Sequence, residues 1–236
     1  MKYIKIGNSK NYIVFLHGWG ADKNSFFWLK DYFSNYTLVF VDFTGFGESN
    51  EPLKPYSVSD YVMELKNLLG EFEIDNLVLV GHSFGGRVAI KYSFLYQNNY
   101  DKFKLCLIDS AGIKPKRGIK YYYRVYLYKF YKKFFPNSKA IKRFGSTDYK
   151  QLSNVMKQTF VNVVNEDLSF FAKYITAKTK IIWGENDKET KMYMAKKLNK
   201  LIKNSSLDII EGAGHFSFLD KPHSFIIILD TFLKNK

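Results

Sequence analysis

The stretch Leu77-Val78-Leu79-Val80-Gly81-His82-Ser83-Phe84-Gly85-Gly86-Arg87 constrains this chain more than any other. A short apolar run ends in Gly-His-Ser-Phe-Gly, and an amphipathic segment, Arg87 to Tyr96, follows at once. The pattern predicts a buried strand that turns sharply into a helix with a serine at the apex. Such a turn crowds the backbone around Ser83, and the glycines two residues before and after it, Gly81 and Gly85, relieve the clash. The turn lifts the hydroxyl clear of the sheet and leaves a helix N-terminus beneath it. Free N–H groups and a positive dipole end there suit a nucleophile that must stabilise negative charge.

The rest of the chain repeats the same rhythm. Lys2 to Ile6 and Tyr12 to Leu16 read as short strands joined by Gly7-Asn8-Ser9. The glycine-rich loop His17-Gly18-Trp19-Gly20 and a short helical stretch, Ser25 to Phe33, come next. Thr37 to Val41 reads as a buried strand, ending in Asp42-Phe43-Thr44-Gly45-Phe46-Gly47-Glu48-Ser49. Ser57 to Leu69 is helical: Ser57 and Ser59 offer N-caps, Val58, Tyr61, Val62, Leu65 and Leu69 form an apolar stripe, and Gly70 can end it. Phe103 to Ile108 is a buried strand leading to Asp109-Ser110-Ala111-Gly112. Beyond Tyr174 the alternation resumes with a strand at Lys180 to Trp183, a helix at Thr190 to Leu201, a strand at Leu207 to Ile210 and a helix at Pro222 to Leu233.

Continuous apolar strands that alternate with helices predict an α/β fold, a mostly parallel central sheet with helices on both faces. Residues 113–174 carry no clear strand, only helical and basic sequence. They read as a helical cap inserted between two strands of a core formed by residues 1–112 and 175–236. No internal repeat or flexible interdomain linker interrupts this scheme.

Composition bears on environment and partners. Cys106 is the single cysteine and lies in the apolar run Phe103 to Ile108, so a buried inert thiol is expected and no internal disulfide can form. Met1 to Ile6 shows no leader pattern and no apolar run approaches the roughly 18 residues of a membrane span, so a cytoplasmic protein is expected. The formal net charge of +14 is concentrated: residues 112–177 hold 14 of the 36 lysines and arginines but only three of the 22 acidic residues. A charge confined to one segment without a recognition module argues against nucleic acid as partner; the expected partner is a small-molecule substrate.

A serine hydroxyl is a weak nucleophile at neutral pH and needs a base in hydrogen-bond reach, itself oriented by an acid. Four histidines are available. His17 precedes the glycine loop, an elbow turns His82 away from its neighbour, and His223 falls at the start of the last helix. His215 sits in Glu211-Gly212-Ala213-Gly214-His215-Phe216, just past a buried strand, where loops of an open α/β sheet converge on the ligand crevice. His215 is therefore the base candidate. Asp187 and Asp109 both follow buried strands and can approach it. Asp187 is preferred for the chain order Ser, acid, His and the turn chemistry of Gly184 to Asp187, with Glu185 as its neighbour in reserve. Asp109 reads instead as a cap at the start of the insertion. An oxyanion hole, worth roughly 3–4 kcal/mol per donor, can draw on the backbone N–H of Phe84 and of Trp19.

With those residues in place the sequence resembles the α/β-hydrolase fold superfamily, in its capped subgroup of esterases, C–C bond hydrolases and cofactor-free peroxidases. The matching elements are His17-Gly18-Trp19-Gly20, Asp42-x-x-Gly45-x-Gly47-x-Ser49, Gly81-His82-Ser83-Phe84-Gly85-Gly86, Trp183-Gly184-x-x-Asp187 and Gly214-His215-Phe216. The resemblance implies Ser83 as nucleophile, His215 as base, Asp187 as acid, and Trp19 and Phe84 as oxyanion donors, with no metal or organic cofactor. It also implies a helical cap over residues 113 to about 174 and a serine hydrolase acting on a small to medium carboxylic ester. Lys188-Glu189-Thr190 stands where such enzymes often carry a proline. Ser83 excludes the members that use an aspartate nucleophile.

Substrate contacts are expected from Gly18 and Phe216, which flank the implied site, and from Tyr123. Tyr123, Leu127, Phe130, Tyr131 and Phe134 share one helical face, with Lys129, Lys132 and Lys133 elsewhere. That segment packs aromatics over the site behind a solvated basic face, steers an anionic substrate, or contacts a membrane surface. Arg87 is either a surface residue or a carboxylate ligand beside the elbow. The second option resembles the 2-succinyl-6-hydroxy-2,4-cyclohexadiene-1-carboxylate synthases of menaquinone synthesis, so a lyase or C–C hydrolase on an anionic substrate is the alternative. A non-catalytic ligand-binding hydrolase fold is the reading from another class. The expected assembly is a monomer or homodimer.

Overall fold

Among the described residues, seven strands form one sheet in the order β1-β3-β2-β4-β5-β6-β7. The computed structural model describes residues 1–115, 118 and 151–235. The strands are β1 (Lys2–Ile6), β2 (Asn11–Leu16), β3 (Thr37–Asp42), β4 (Asn76–His82), β5 (Lys102–Ile108), β6 (Lys178–Gly184) and β7 (Ser205–Ile210). Helices α1 (Asn24–Phe27), α2 (Val58–Leu69), α3 (Phe84–Tyr96), α4 (Asn154–Asn165), α5 (Ser169–Lys173), α6 (Met192–Leu201), α7 (Ser217–Asp220) and α8 (Pro222–Lys234) connect or flank them. All neighbours pair in parallel except β1, which runs antiparallel to β3. The adjacent sequence strands β1 and β2 are thus not a hairpin, because β3 lies between them.

Burial on both faces explains the unbroken apolar strands. Val14, Leu16, Leu77, Leu79, Leu105, Leu107 and Trp183 point into a core shared with α2, α3 and α6. Ile13, Phe15, Val78, Val80, Cys106, Ile108 and Ile182 alternate with them into a second core, shared with α1 and α8. Fully burying each such side chain contributes about 1.5–3 kcal/mol, so the central positions of a two-sided strand are apolar. Buried polar residues such as Thr37, Asp42, His82 and Thr179 fall at or near strand ends. Cys106 is buried as expected, and burial pushes its thiol up to about 12.

Local signals set the element ends. Ser57 and Asp60 close the start of α2, with Asp60 Oδ2 accepting from the Ser57 N–H at 2.7 Å and hydroxyl at 2.6 Å. The helix expected over Ser25 to Phe33 is only α1. Its continuation is turns bonded three residues back, Leu29 N to Phe26 O and Tyr32 N to Leu29 O.

The described part of the predicted insertion belongs to the same core as the sheet. Met156 and Val163 of α4, Leu168, and Ala172 of α5 are buried in the α2–α3 face. Thr159 Oγ accepts from the Tyr56 N–H at 2.9 Å, and Phe160 packs 5.1 Å from the Trp19 ring. The aromatic stretch around Tyr123 lies outside the described residues. No helix among the described residues is long and apolar enough to cross a membrane.

Candidate active site

The sheet reverses its winding between β2 and β4. From β2 the chain moves outward to β3 on one side, and from β4 it proceeds through β5, β6 and β7 on the other. Carboxyl ends on either side of such a switch leave a crevice between their loops. Leu16 and Gly81 are register partners there, so the loop His17–Gly20 and the turn at Ser83 leave the sheet side by side.

Ser83 sits at φ 49° and ψ −108°, outside the usual basins of a side-chain-bearing residue, and α3 begins at the next residue. The sharp bend is held by Ser83 N–H donating to Ile108 O at 3.0 Å and by Ser83 O accepting from Gly86 and Ala111. A Cβ at Gly85 would stand 2.1 Å from the Leu16 carbonyl oxygen, and one at Gly81 2.7 Å from the Gly85 oxygen. Both glycines are therefore required by close backbone approach.

Three loops bring their side chains together at this end. His215 Nε2 lies 3.0 Å from Ser83 Oγ, and His215 Nδ1 lies 2.9 Å from Asp187 Oδ2. With Nδ1–H donating to the carboxylate, Nε2 is left as acceptor for the serine hydroxyl. Burial works against charge on the His215 ring, but the hydrogen bond and charge of Asp187 outweigh it and raise its proton affinity above that of free imidazole. Burial likewise raises Asp187, and the bonds from His215 and Thr190 more than reverse this, holding it below the usual carboxylate range. The geometry can transfer a proton from Ser83 to His215 and hold the resulting imidazolium against Asp187.

Asp187 is fixed from its own loop. Its Oδ1 accepts the N–H groups of Glu189 at 2.8 Å and Thr190 at 3.0 Å, while the Thr190 hydroxyl lies 2.6 Å from Oδ2. The buried Trp183 indole donates to the Thr190 carbonyl at 2.7 Å. Thr190 was not singled out in the sequence, although a hydroxyl three residues after an acid in a turn is a readable signal. Glu185, the acid in reserve, instead accepts from Gly212 N–H at 2.9 Å.

The oxyanion candidates lie on the two loops that leave the sheet side by side at the switch. Phe84 is the first residue of α3, so its N–H is one of those a helix leaves without an internal acceptor. Trp19 follows Gly18, whose α-carbon faces the elbow: a Cβ there would stand 2.8 Å from His82 Nδ1. His17 locks this loop by donating from Nδ1 to Gly18 O at 2.7 Å and accepting Phe43 N–H on Nε2 at 3.1 Å. Burial lowers the His17 ring to about 4, so it stays neutral in this role. The Trp19 ring packs edge-on against Phe46, Phe84 and Phe160. Asp42 anchors the neighbouring glycine loop, its carboxylate bonded to the Lys23 ammonium at 2.7 Å and to Glu48 N–H at 3.0 Å.

Two expectations change. Arg87 is not a surface residue: it is 5% exposed, and its guanidinium donates to the carbonyls of Glu166 at 2.8 Å and Val164 at 3.4 Å. The backbone at the end of α4, rather than a carboxylate, takes its hydrogen bonds. Asp109 does not cap the insertion; its carboxylate reaches Gly184 and Ser217 on the two neighbouring loops. Phe216, by contrast, is 44% exposed with its ring 5.5 Å from that of His215. His223 is exposed at the start of α8, and Tyr123 lies outside the described residues.

A mostly parallel sheet covered on both faces, with a strained serine on the turn after its central strand, is the architecture of the α/β hydrolases. The chain belongs to the alpha/beta hydrolase family, whose sequence model matches residues 13–226. Among its relatives, Lipase 1 of Psychrobacter immobilis is 25% identical over 93% of this chain and 76% of its own length. A pimeloyl-[acyl-carrier protein] methyl ester esterase of Pseudoalteromonas atlantica is 28% identical over 97% of this chain and 96% of its own length. The solved structure of an esterase from Exiguobacterium antarcticum superposes with a TM-score of 0.77 at 24% identity, covering 99% of this chain and 95% of that one.

Proposed function

We propose that this chain is a serine hydrolase of small to medium carboxylic esters, acting through an acyl-enzyme. The observation that carries this reading is the unbroken line from Ser83 Oγ through the His215 ring to Asp187, at 3.0 and 2.9 Å. Ser83 attacks the ester carbonyl as His215 Nε2 takes its proton. The oxyanion forms toward the N–H groups of Trp19 and Phe84, where the α3 terminus adds a positive dipole. His215 then protonates the leaving alcohol, and the carbonyl re-forms as a Ser83 ester. Water enters, loses a proton to His215, attacks, and releases the acid with Ser83 restored. Atoms and charge balance with the chain's own groups and one water.

The names of two relatives, a lipase and a methyl ester esterase, support an ester as the substrate class. The alternative of a lyase or C–C hydrolase on an anionic substrate rested in part on Arg87 as a carboxylate ligand. Its guanidinium is engaged by Val164 and Glu166, which leaves the ester reading the better supported.

The test uses p-nitrophenyl acetate and butyrate with a fluorophosphonate probe. Wild type turns over the esters and is labelled, and Ser83→Ala does neither. Labelling that persists in Ser83→Ala would overturn the assignment of the nucleophile, and an unlabelled, inactive wild type would support a non-catalytic member of the family.

A further inference from the structure

Asp109 is one of two residues other than glycine with positive φ among the described residues, at 43°; the other is Ser83. The two stand at the ends of neighbouring strands, β5 and β4. A side-chain-bearing residue held in this region persists only where surrounding contacts over-determine it. At Asp109 those contacts are hydrogen bonds from both its backbone and its carboxylate. Its N–H donates to Ile182 O at 3.0 Å, and its carbonyl lies 3.0 Å from the Thr190 hydroxyl. Its buried carboxylate accepts Gly184 N–H on Oδ1 at 2.7 Å, and Ser217 N–H and hydroxyl on Oδ2 at 3.1 and 2.5 Å.

Those partners lie on the two loops that carry the other members of the site. Gly184 is the last residue of β6 and begins the turn to Asp187, whose own N–H returns to Gly184 O at 3.2 Å. Ser217 is two residues past His215 and opens α7. We propose that Asp109 is a positioning residue of the Ser83–His215–Asp187 site, its carboxylate clamping the His215 loop to the Asp187 loop. The inference rests on the proposed triad. It adds a second buried acid, which acts through Ser217 and Gly184.

A consequence follows for charge. Among the described residues, four ionisable groups bear on the His215 ring: Asp187 in contact, Asp109 behind Ser217, Glu189 from the Asp187 loop, and His82 from β4. His82 is kept neutral by burial, so it supplies no compensating positive charge. Burial pushes Asp109 up to about 7, against the pull of its donors, so its negative charge is sensitive to its hydrogen-bond partners. As an anion it favours protonated His215, the species formed when Ser83 attacks.

The deciding variant is Asp109→Asn, which keeps the volume and removes the charge and one acceptor. Proton NMR of the His215 imidazole, assigned by its absence in His215→Ala, reads the midpoint directly without requiring turnover. The expected result is a fall in the His215 midpoint, with kcat for p-nitrophenyl butyrate reduced about 10- to 100-fold at little-changed KM. An unmoved midpoint with kcat within twofold of wild type, in folded protein, overturns the proposal. Ser217→Ala removes a single donor and is read alongside, so that the test survives if Asp109→Asn does not fold. It should lower kcat several-fold without raising KM, and an unchanged kcat overturns the clamp. If wild type is inactive toward esters, the ester reading fails while the NMR midpoint still decides whether Asp109 governs His215.

Discussion

The Nε2 of His82 lies 2.7 Å from the main-chain carbonyl oxygen of His215. The residue before Ser83 thus holds the backbone of His215, the proposed base. His82 points away from Ser83, as an elbow requires, into a pocket where its ring contacts those of His215, Phe216 and Phe218. Burial drives its ring down to about 3, so it remains neutral, and Nε2–H is the donor. One short turn therefore sets both partners of the proposed proton transfer.

His82→Leu keeps the apolar packing and removes the donor to His215 O. Loss of this buried bond is expected to lower kcat about tenfold, with a smaller change in KM, since a net buried hydrogen bond is worth about 1–1.5 kcal/mol. Steady-state kinetics on p-nitrophenyl butyrate measure it. An unaltered kcat would show that the His215 loop is held without His82.

Thr190→Val tests the carboxylate's orientation. Valine replaces a hydroxyl that bonds Asp187 Oδ2 at 2.6 Å and leaves the two backbone donors to Oδ1 in place. Hydrogen bonds to a charged group contribute about 1.5–3 kcal/mol, so kcat/KM should fall at least tenfold. Circular dichroism separates this from a folding defect.

The pH dependence has a definite sign. As the proposed base, His215 must be neutral to act, and its proton affinity is raised above 6.5 because Asp187 outweighs burial. Log kcat/KM should therefore climb with pH through a midpoint above 6.5 and level off at higher pH. Asp187 is shifted the other way and stays ionised across that range. A midpoint below 6.5 would mean that burial dominates and the Asp187 contact is lost in solution.

Gly85→Ala should be the most damaging small change at the elbow. Its Cβ would meet the Leu16 carbonyl oxygen at 2.1 Å, a backbone atom that cannot rotate away. Overpacking of this kind costs about 1–3 kcal/mol or more, and here it also pushes the elbow off the loop bearing Trp19. Urea melts and fluorophosphonate labelling should both report the loss.

Arg87→Met separates support of the α4 terminus from substrate binding. It leaves the carbonyls of Glu166 and Val164 without these donors, at a cost of about 1–3 kcal/mol in stability. The ratio of kcat/KM for an anionic ester to that for a neutral ester should not change. A ratio that falls selectively for the anionic ester would return Arg87 to the substrate.

Much of this arrangement was legible in the residue order. The apolar runs, the caps of α2 and the glycines flanking Ser83 are local signals, because strand burial, helix ends and tight turns depend on nearby residues. His215 emerged from only four histidines. The strand order did not follow from sequence, since β1 pairs with β3 across its nearest neighbour, and pairing depends on which edges meet in space. Nor did the environments of His82, Arg87 and Asp109. Each is polar and sits where sequence alone allows either solvent or a buried partner, and the partners found lie 133, 79 and 108 positions away in the chain.

What the sequence determined by itself was the chemistry on offer: a serine on a strand-to-helix turn, a histidine and an aspartate on later loops, and strands buried on both faces. Only the tertiary structure decided which acid touches His215 and which stands behind it. Asp187 and Asp109 are alike as residues after buried strands. Parallel packing of β5, β6 and β7 brings both loops to one end of the sheet, where direction and distance assign Asp187 to the ring and Asp109 to the backbone that carries it.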